Sequence, residues 1–147
     1  MPDLLILACS ATKRTEPRAP MAALDRYDGI FFRVLRKWMR AQSSDSVPTD
    51  LLIVSARFGL IDANKQIPNY DVRMTRERAS ELAPQIQAAL RIRLRRNVYR
   101  NIFVNLGREY LATVAGLNGL QRATWAVGGI GQRARQMKQW LETLPEA

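Results

Sequence analysis

An α/β sandwich with a mostly parallel sheet of about four strands is the fold class that the sequence predicts, on three observations. Short apolar runs at 4–8, 51–54, 101–105 and 123–127 alternate with stretches whose apolar residues recur at helical spacing. Each run stops on small, polar or glycine residues. Strands separated by helices of this length pair in parallel through right-handed crossovers. The order β-α-β-α-β-α-β-α therefore predicts one three-layer, Rossmann-like sandwich over residues 1–147. A chain of this size buries roughly two-thirds of its unfolded surface and needs no staple.

The first strand, 4–8, ends at Cys9-Ser10. Ser10 to Asp25 is polar and interrupted by Pro17 and Pro20, which predicts a binding loop or a mobile lid. Asp28 is expected to cap a helix carrying Phe31, Val34, Leu35, Trp38 and Met39. A connection from Gln42 to Asp50, with a Ser-Ser-Asp-Ser run and Pro48, leads into the second strand, 51–54, which ends at Ser55. From Ala56 through Pro68 to Asp71 the sequence predicts another extended loop on the same sheet edge.

Thr75 is the expected N-cap of a helix reaching about Arg96, kinked or divided by Pro84. The third strand, 101–105, precedes a short helix that begins at Gly107 and carries Tyr110, Leu111 and Val114. Gly116 to Gly119 punctuates its end. After the fourth strand, 123–127, Gly128-Gly129-Ile130-Gly131 opens a last helix with Ala134, Met137, Trp140, Leu141 and Leu144 on its apolar face. The tail beyond Pro145 is too short to form an element.

Composition excludes whole classes of chemistry. The chain has one cysteine, Cys9, and no histidine. No intrachain disulfide can form, and the usual zinc sites, Ser-His-Asp triads and Cys-His dyads are removed. No metal and no cofactor is expected. Asp3 sits where a signal peptide would be basic, and the first apolar run is too short to cross a bilayer. A cytoplasmic protein without a membrane partner is the expectation. The formal net charge of +10 favours anionic partners. Part of it lies in Arg91, Arg93, Arg95, Arg96 and Arg100, which form either a solvated helix end or a nucleic-acid footprint.

The four strand ends should converge on one sheet edge, where open α/β sheets bind ligands. Gly128, Gly129 and Gly131 before a helix either present N–H groups to a phosphate or merely make a tight turn. Their spacing matches neither the P-loop nor the dinucleotide fingerprint. Lys13 is either an ammonium clamp for an anion or, with a lowered pKa, an amine nucleophile. Cys9 is either a small core residue or a thiolate beside Lys13 or Arg57. Ser10, Ser55, Gly59 and Gly107 complete the loops. Arg57 and Arg73 could hold a carboxylate or phosphate, Tyr70 could stack on a base or hydrogen-bond to it, and Asp71 is the best-placed general base or ribose ligand. Tyr27 and Tyr110 are weaker candidates.

Ala8-Cys9-Ser10-Ala11-Thr12-Lys13, Asp25-Arg26-Tyr27 before a helix, Ser55-Ala56-Arg57-Phe58-Gly59-Leu60, Gly129-Ile130-Gly131 and Trp140-Leu141 together resemble an uncharacterised family of small bacterial and phage α/β proteins, often labelled YaaA-like. Its motifs are C-S-x-x-K, L-Y before a helix, S-A-x-x-G-L and a terminal G-x-G helix. The L-Y pair is altered here. The first motif is also distantly similar to the central domain of archaeosine synthase, in which the motif lysine attacks a 7-deazaguanine nitrile. That similarity implies a Rossmann-like or uracil-glycosylase-like sandwich, with Lys13 as nucleophile and Cys9 and Ser10 shaping its loop. The archaeosine motif continues with a histidine that this chain lacks, so the reaction does not transfer.

The expectation is an enzyme acting on a nucleobase, nucleoside or nucleotide, of glycosidase or base-modifying transferase type. Lys13 and Ser10 would act at the reacting centre. Arg57 and the Gly129–Gly131 helix start would hold an anion, and Tyr70 with Asp71 would orient base or sugar. The alternatives are a noncatalytic nucleic-acid-binding module and a small-ligand accessory subunit. Oligomeric state is not encoded legibly.

Overall fold

The computed structural model describes residues 1–42 and 49–144. Most of the expected Gln42–Asp50 connection, including Pro48, and the tail from Pro145 lie outside the described residues. The central strand is β1 (Asp3–Ala8), where Leu4, Leu5, Ile6 and Leu7 are all fully buried. Side chains alternate across a strand, and here both faces are covered. Leu5 and Leu7 join a core with Phe32, Leu35, Met137 and Leu141, whereas Leu4 and Ile6 join another with Ala79, Ile86 and Leu90. That is why β1 reads as an unbroken apolar run.

The helices supplying these faces are α2 (Ile30–Ala41) and α5 (Ile130–Thr143) on one side and α3 (Arg76–Arg96) on the other. β1 pairs in parallel with β3 (Thr49–Ser55) and with β6 (Ile102–Asn105), which pairs in parallel with the short β7 (Thr124–Trp125). β4 (Gly59–Asp62) runs antiparallel on the outer side of β3, so the sheet has five strands in the order β4-β3-β1-β6-β7 rather than about four.

β4 occupies part of what the sequence suggests is an extended loop. Ser55 pairs with Gly59 across Ala56-Arg57-Phe58, and Gly59 has φ 77°. A three-residue hairpin loop followed by a left-handed glycine is a common way to reverse a strand. The φ of Gly59 is what requires glycine, and a Cβ there would also displace the Gln85 side chain. A ribbon of β2 (Met21–Ala22) and β5 (Gln66–Ile67) is likewise absent from the sequence pattern, being only two residues a side.

Local corrections have equally local causes. The N-cap of α2 is Gly29; Asp28 instead pairs with Arg33 and Arg36, and hydrogen bonds from Arg33, with Arg36 adding to them, hold its carboxyl below the usual range. Between β2 and α2 lies a single turn, α1 (Ala23–Arg26). Pro84 does not divide α3, because Pro84 and Ser80, the residue four positions earlier, both face solvent and water can serve the freed carbonyl. Thr75 does cap α3, its Oγ1 accepting the Arg78 N–H at 3.1 Å. Following β6, α4 (Arg108–Leu111) passes into a 3-10 turn at 112–114. The last strand is shorter than 123–127 because Gly128, at φ 95°, turns the chain into α5.

Candidate functional site

Parallel pairing of β1, β3, β6 and β7 brings their carboxyl ends to one edge. The chain builds outward from β1 to β3 and β4, then crosses to β6 and β7 on the other side. The reversal between β1 and β6 is a topological switch point, the ordinary location of a ligand crevice in open α/β sheets. Cys9 and Ser10 border it from β1, and Asn105 and Gly107 from β6.

On the β3 side, three hydroxyls meet. Tyr27 and Tyr70 hydrogen-bond through their hydroxyls, Ser55 Oγ lies 3.0 Å from the Tyr70 hydroxyl, and the Tyr27 O–H donates to Ser55 Oγ at 3.4 Å. One cyclic orientation satisfies all three, with Ser55 donating to Tyr70, Tyr70 to Tyr27 and Tyr27 to Ser55. The Arg57 and Phe58 N–H groups also donate to Ser55 Oγ, at 3.2 and 3.1 Å. Burial pushes the Tyr27 phenol up to about 12 and raises that of Tyr70 further, so both stay protonated. The Tyr70 hydroxyl is therefore committed to the protein, and its ring is what it presents to the edge.

Lys13 lies against that ring, with Nζ 4.5 Å from the Tyr70 centroid and 6.0 Å from that of Tyr27. Its backbone is held by an antiparallel bridge to Tyr27. Burial lowers its pKa, and nearby Cys9 and Asp71 only partly offset this. Arg57 sits over Tyr70 from 5.7 Å and over Phe58 from 5.0 Å. Neither cation has a salt-bridge partner among the described residues. Asp71 is exposed and lies near enough to Lys13 to influence its pKa.

Cys9 is half-buried beneath this group, its Sγ 3.1 Å from the Tyr110 hydroxyl and 3.5 Å from the Ala56 N–H. Ser10 Oγ accepts the Gly29 N–H at 3.2 Å and donates to the Thr12 carbonyl, which latches the loop to the start of α2. A Cβ on Gly29 would come within 2.8 Å of the Ser10 Cβ. The loop beyond is strapped as well. Arg26 is fully buried and donates to the carbonyls of Arg14 (2.8 Å), Pro17 (3.0 Å) and Ala19 (2.7 Å).

Across the switch point, two glutamines of α5 fold back on the turn that precedes it. Gln132 Oε1 accepts the Gly129 N–H at 2.9 Å and Gln136 Oε1 accepts the Val127 N–H at 2.8 Å. The left-handed conformation of Gly128 favours glycine, and a Cβ there would run into the Gln132 side chain. Gly129 and Gly131 are open to solvent. Gly107 caps α4, and Gly59 serves the hairpin described above.

Cys9, Ser10, Lys13, Ser55, Arg57 and Tyr70 thus lie at one end of the sheet with Gly107, Gly128, Gly129 and Gly131 beyond β1. Three contributors escape sequence reading and a fourth is underrated by it. Arg26 stands where the resemblance expects an apolar residue, and its burial depends on the loop wrapping it. Tyr110, a weak candidate by sequence, contacts Cys9. Asn105 and Arg133 meet only in three dimensions, at 3.1 Å. A cavity of about 660 Å³, lined in part by Trp38, Thr49, Asp50 and Arg93, opens at the other end of β3 and shares no residue with this edge. Among the described residues, no acidic, cysteine or histidine cluster could hold a metal ion, and no helix is long and apolar enough to cross a membrane.

Comparison with known proteins places the architecture but names no activity. The crystal structure of AF0587, a protein of unknown function, superposes with a TM-score of 0.56 at 12% sequence identity, over 99% of this chain and 46% of that one. The chain therefore spans under half of AF0587, and at this identity the likeness is one of fold. No curated protein matches. A family model described as a family of unknown function, DUF6884, matches residues 4–143, and the chain belongs to that family.

Proposed function

We propose that this protein is a cytoplasmic enzyme acting on a nucleobase, nucleoside or nucleotide at the carboxyl edge of its sheet, as a glycosidase or base-modifying transferase. The observation that carries the reading is Lys13, whose amine is held against the Tyr70 ring and shifted by burial toward its neutral form. In this reading Lys13 acts at the reacting centre, with Cys9 and Ser10 shaping its loop. Arg57 and the first turn of α5, at Gly129 to Gly131, hold an anionic group, while Asp71 and the Tyr70 ring orient base or sugar. Helices on both sheet faces support a three-layer, Rossmann-like sandwich, and the Cys9-to-Lys13 loop keeps the distant similarity to archaeosine synthase in view.

The arginine-rich end of α3 favours the nucleic-acid module as a second reading. Arg93 is tied to Asp62 and Arg100 to Asp3, but Arg91, Arg95 and Arg96 are exposed without acidic partners among the described residues. α3 has 21 residues and is roughly 30 Å long. That end is therefore too far from Lys13 for one mononucleotide to touch both. Thermal stabilisation by nucleobases, nucleosides, nucleotides and short RNA or DNA separates the readings. The pocket reading expects a mononucleotide-class hit that is lost in Lys13→Ala and Arg57→Ala and falls shallowly with salt. A response confined to polymers, falling steeply with salt and insensitive to Lys13, would overturn it.

A further inference from the structure

Arg133 lies one turn into α5, at the carboxyl end of β6. Its guanidinium donates Nη1–H to Asn105 Oδ1 at 3.1 Å and Nε–H to the Gly128 carbonyl at 3.2 Å. The same group lies 5.0 Å from the Phe31 ring centroid. Three elements thereby fix it: β6 through Asn105, which is 1% exposed, α2 through Phe31, and the β7–α5 turn through Gly128. The remaining edge faces Gly107, where a Cβ would stand 3.8 Å from Nη2.

Every partner of this cation is neutral. No carboxylate lies within salt-bridge distance among the described residues, and burial pulls its pKa downward. A partly desolvated guanidinium with only neutral partners gains most from a mobile oxyanion, which it can grip through paired N–H donors. Two N–H groups of the preceding turn, those of Val127 and Gly129, already donate to glutamine amide oxygens and are closed to an anion.

We infer that Arg133, oriented by Asn105 and Phe31, is the residue that binds an oxyanion at the β1/β6 switch point, and that the oxyanion is the phosphate of the ligand. The inference rests on the proposed nucleotide reading and narrows its ligand to phosphorylated forms. Gly107 keeps the approach to Nη2 clear. Its φ of −71° is open to any residue, so a larger side chain there covers the guanidinium without straining the backbone.

The test measures thermal stabilisation at constant ionic strength by inorganic phosphate, pyrophosphate, and the four common nucleosides with their 5′-monophosphates. The wild type is expected to respond to phosphorylated compounds over the parent nucleosides. Arg133→Met is expected to weaken that response roughly tenfold or more, Gly107→Val to do the same with the arginine intact, and Arg91→Met with Arg95→Met to leave it unchanged. An equal response to inorganic phosphate and to nucleotides would assign the site to free phosphate, still through Arg133. If nucleotides stabilise the wild type and neither Arg133→Met nor Gly107→Val alters this, the inference is wrong while the pocket reading survives. If nucleosides bind as well as their phosphates, the phosphate assignment alone falls. If neither phosphate, pyrophosphate, any nucleoside nor any mononucleotide stabilises the wild type, both fall.

Discussion

Arg26→Met is expected to lower stability by about 3 kcal/mol and to release the 14–20 segment to protease, with the rest of the fold retained. Three carbonyls, of Arg14, Pro17 and Ala19, accept from this one guanidinium at 2.7–3.0 Å. Hydrogen bonds to a charged donor contribute about 1.5–3 kcal/mol each. Two effects reduce the sum. The Arg26 Nε has no partner among the described residues, so methionine relieves a buried unsatisfied group, and the released carbonyls lie on exposed residues that water can reach. Urea denaturation reads the stability, and tryptic cleavage after Arg14 and Arg18 reads the loop. An unchanged midpoint with a protected loop would show that the strap is not Arg26. Lys13 is bridged to Tyr27 beside this strap, so the substitution should also loosen the lysine's seat.

Ser55→Ala removes the acceptor for the Arg57 and Phe58 N–H groups and opens the ring of hydroxyls with Tyr27 and Tyr70. A loss of about 2–3 kcal/mol follows, because Tyr27 is fully buried and its hydroxyl is left with one partner. The wild type also has a definite alkaline limit. Tyr27 titrates at about 12 in the folded protein against 10.0 for its ordinary value. A group raised on folding stabilises fully below its unfolded pKa and loses that contribution as pH rises through the folded one. Stability should therefore fall between about pH 10 and pH 12, with Tyr70 adding to the loss in the same direction. A midpoint that is flat across that window would contradict the buried, protonated triad.

The strand-helix alternation was legible because β1 is a short unbroken apolar run, whereas α2 and α5 carry a period of 3.6. β4 was not, since its four residues follow a three-residue turn whose left-handed Gly59 is indistinguishable in sequence from a flexible loop glycine. At the site, apolar runs stopping at Cys9 and Ser55 marked the sheet edge at which these residues gather, because a buried strand must end where polar residues begin. Roles were less legible than places. Tyr70 could be named, but the commitment of its hydroxyl to Ser55 and Tyr27 depends on contacts 15 and 43 residues apart in sequence. Arg133 and Arg26 read as ordinary surface arginines, since the burial that gives each its part comes from distant segments.

The role proposed for Lys13, the reactive group of a nucleotide-class pocket, is open to mass-spectrometric footprinting of the lysines with an amine-acylating reagent. The chain has only Lys13, Lys37, Lys65 and Lys138. Because burial lowers the Lys13 pKa, its acylation should reach a plateau at lower pH than that of the other three. A nucleotide present at ten times its Kd should slow Lys13 roughly tenfold and leave Lys37, Lys65 and Lys138 unchanged. A nucleotide that stabilises the fold while Lys13 is acylated at its unliganded rate would contradict the account.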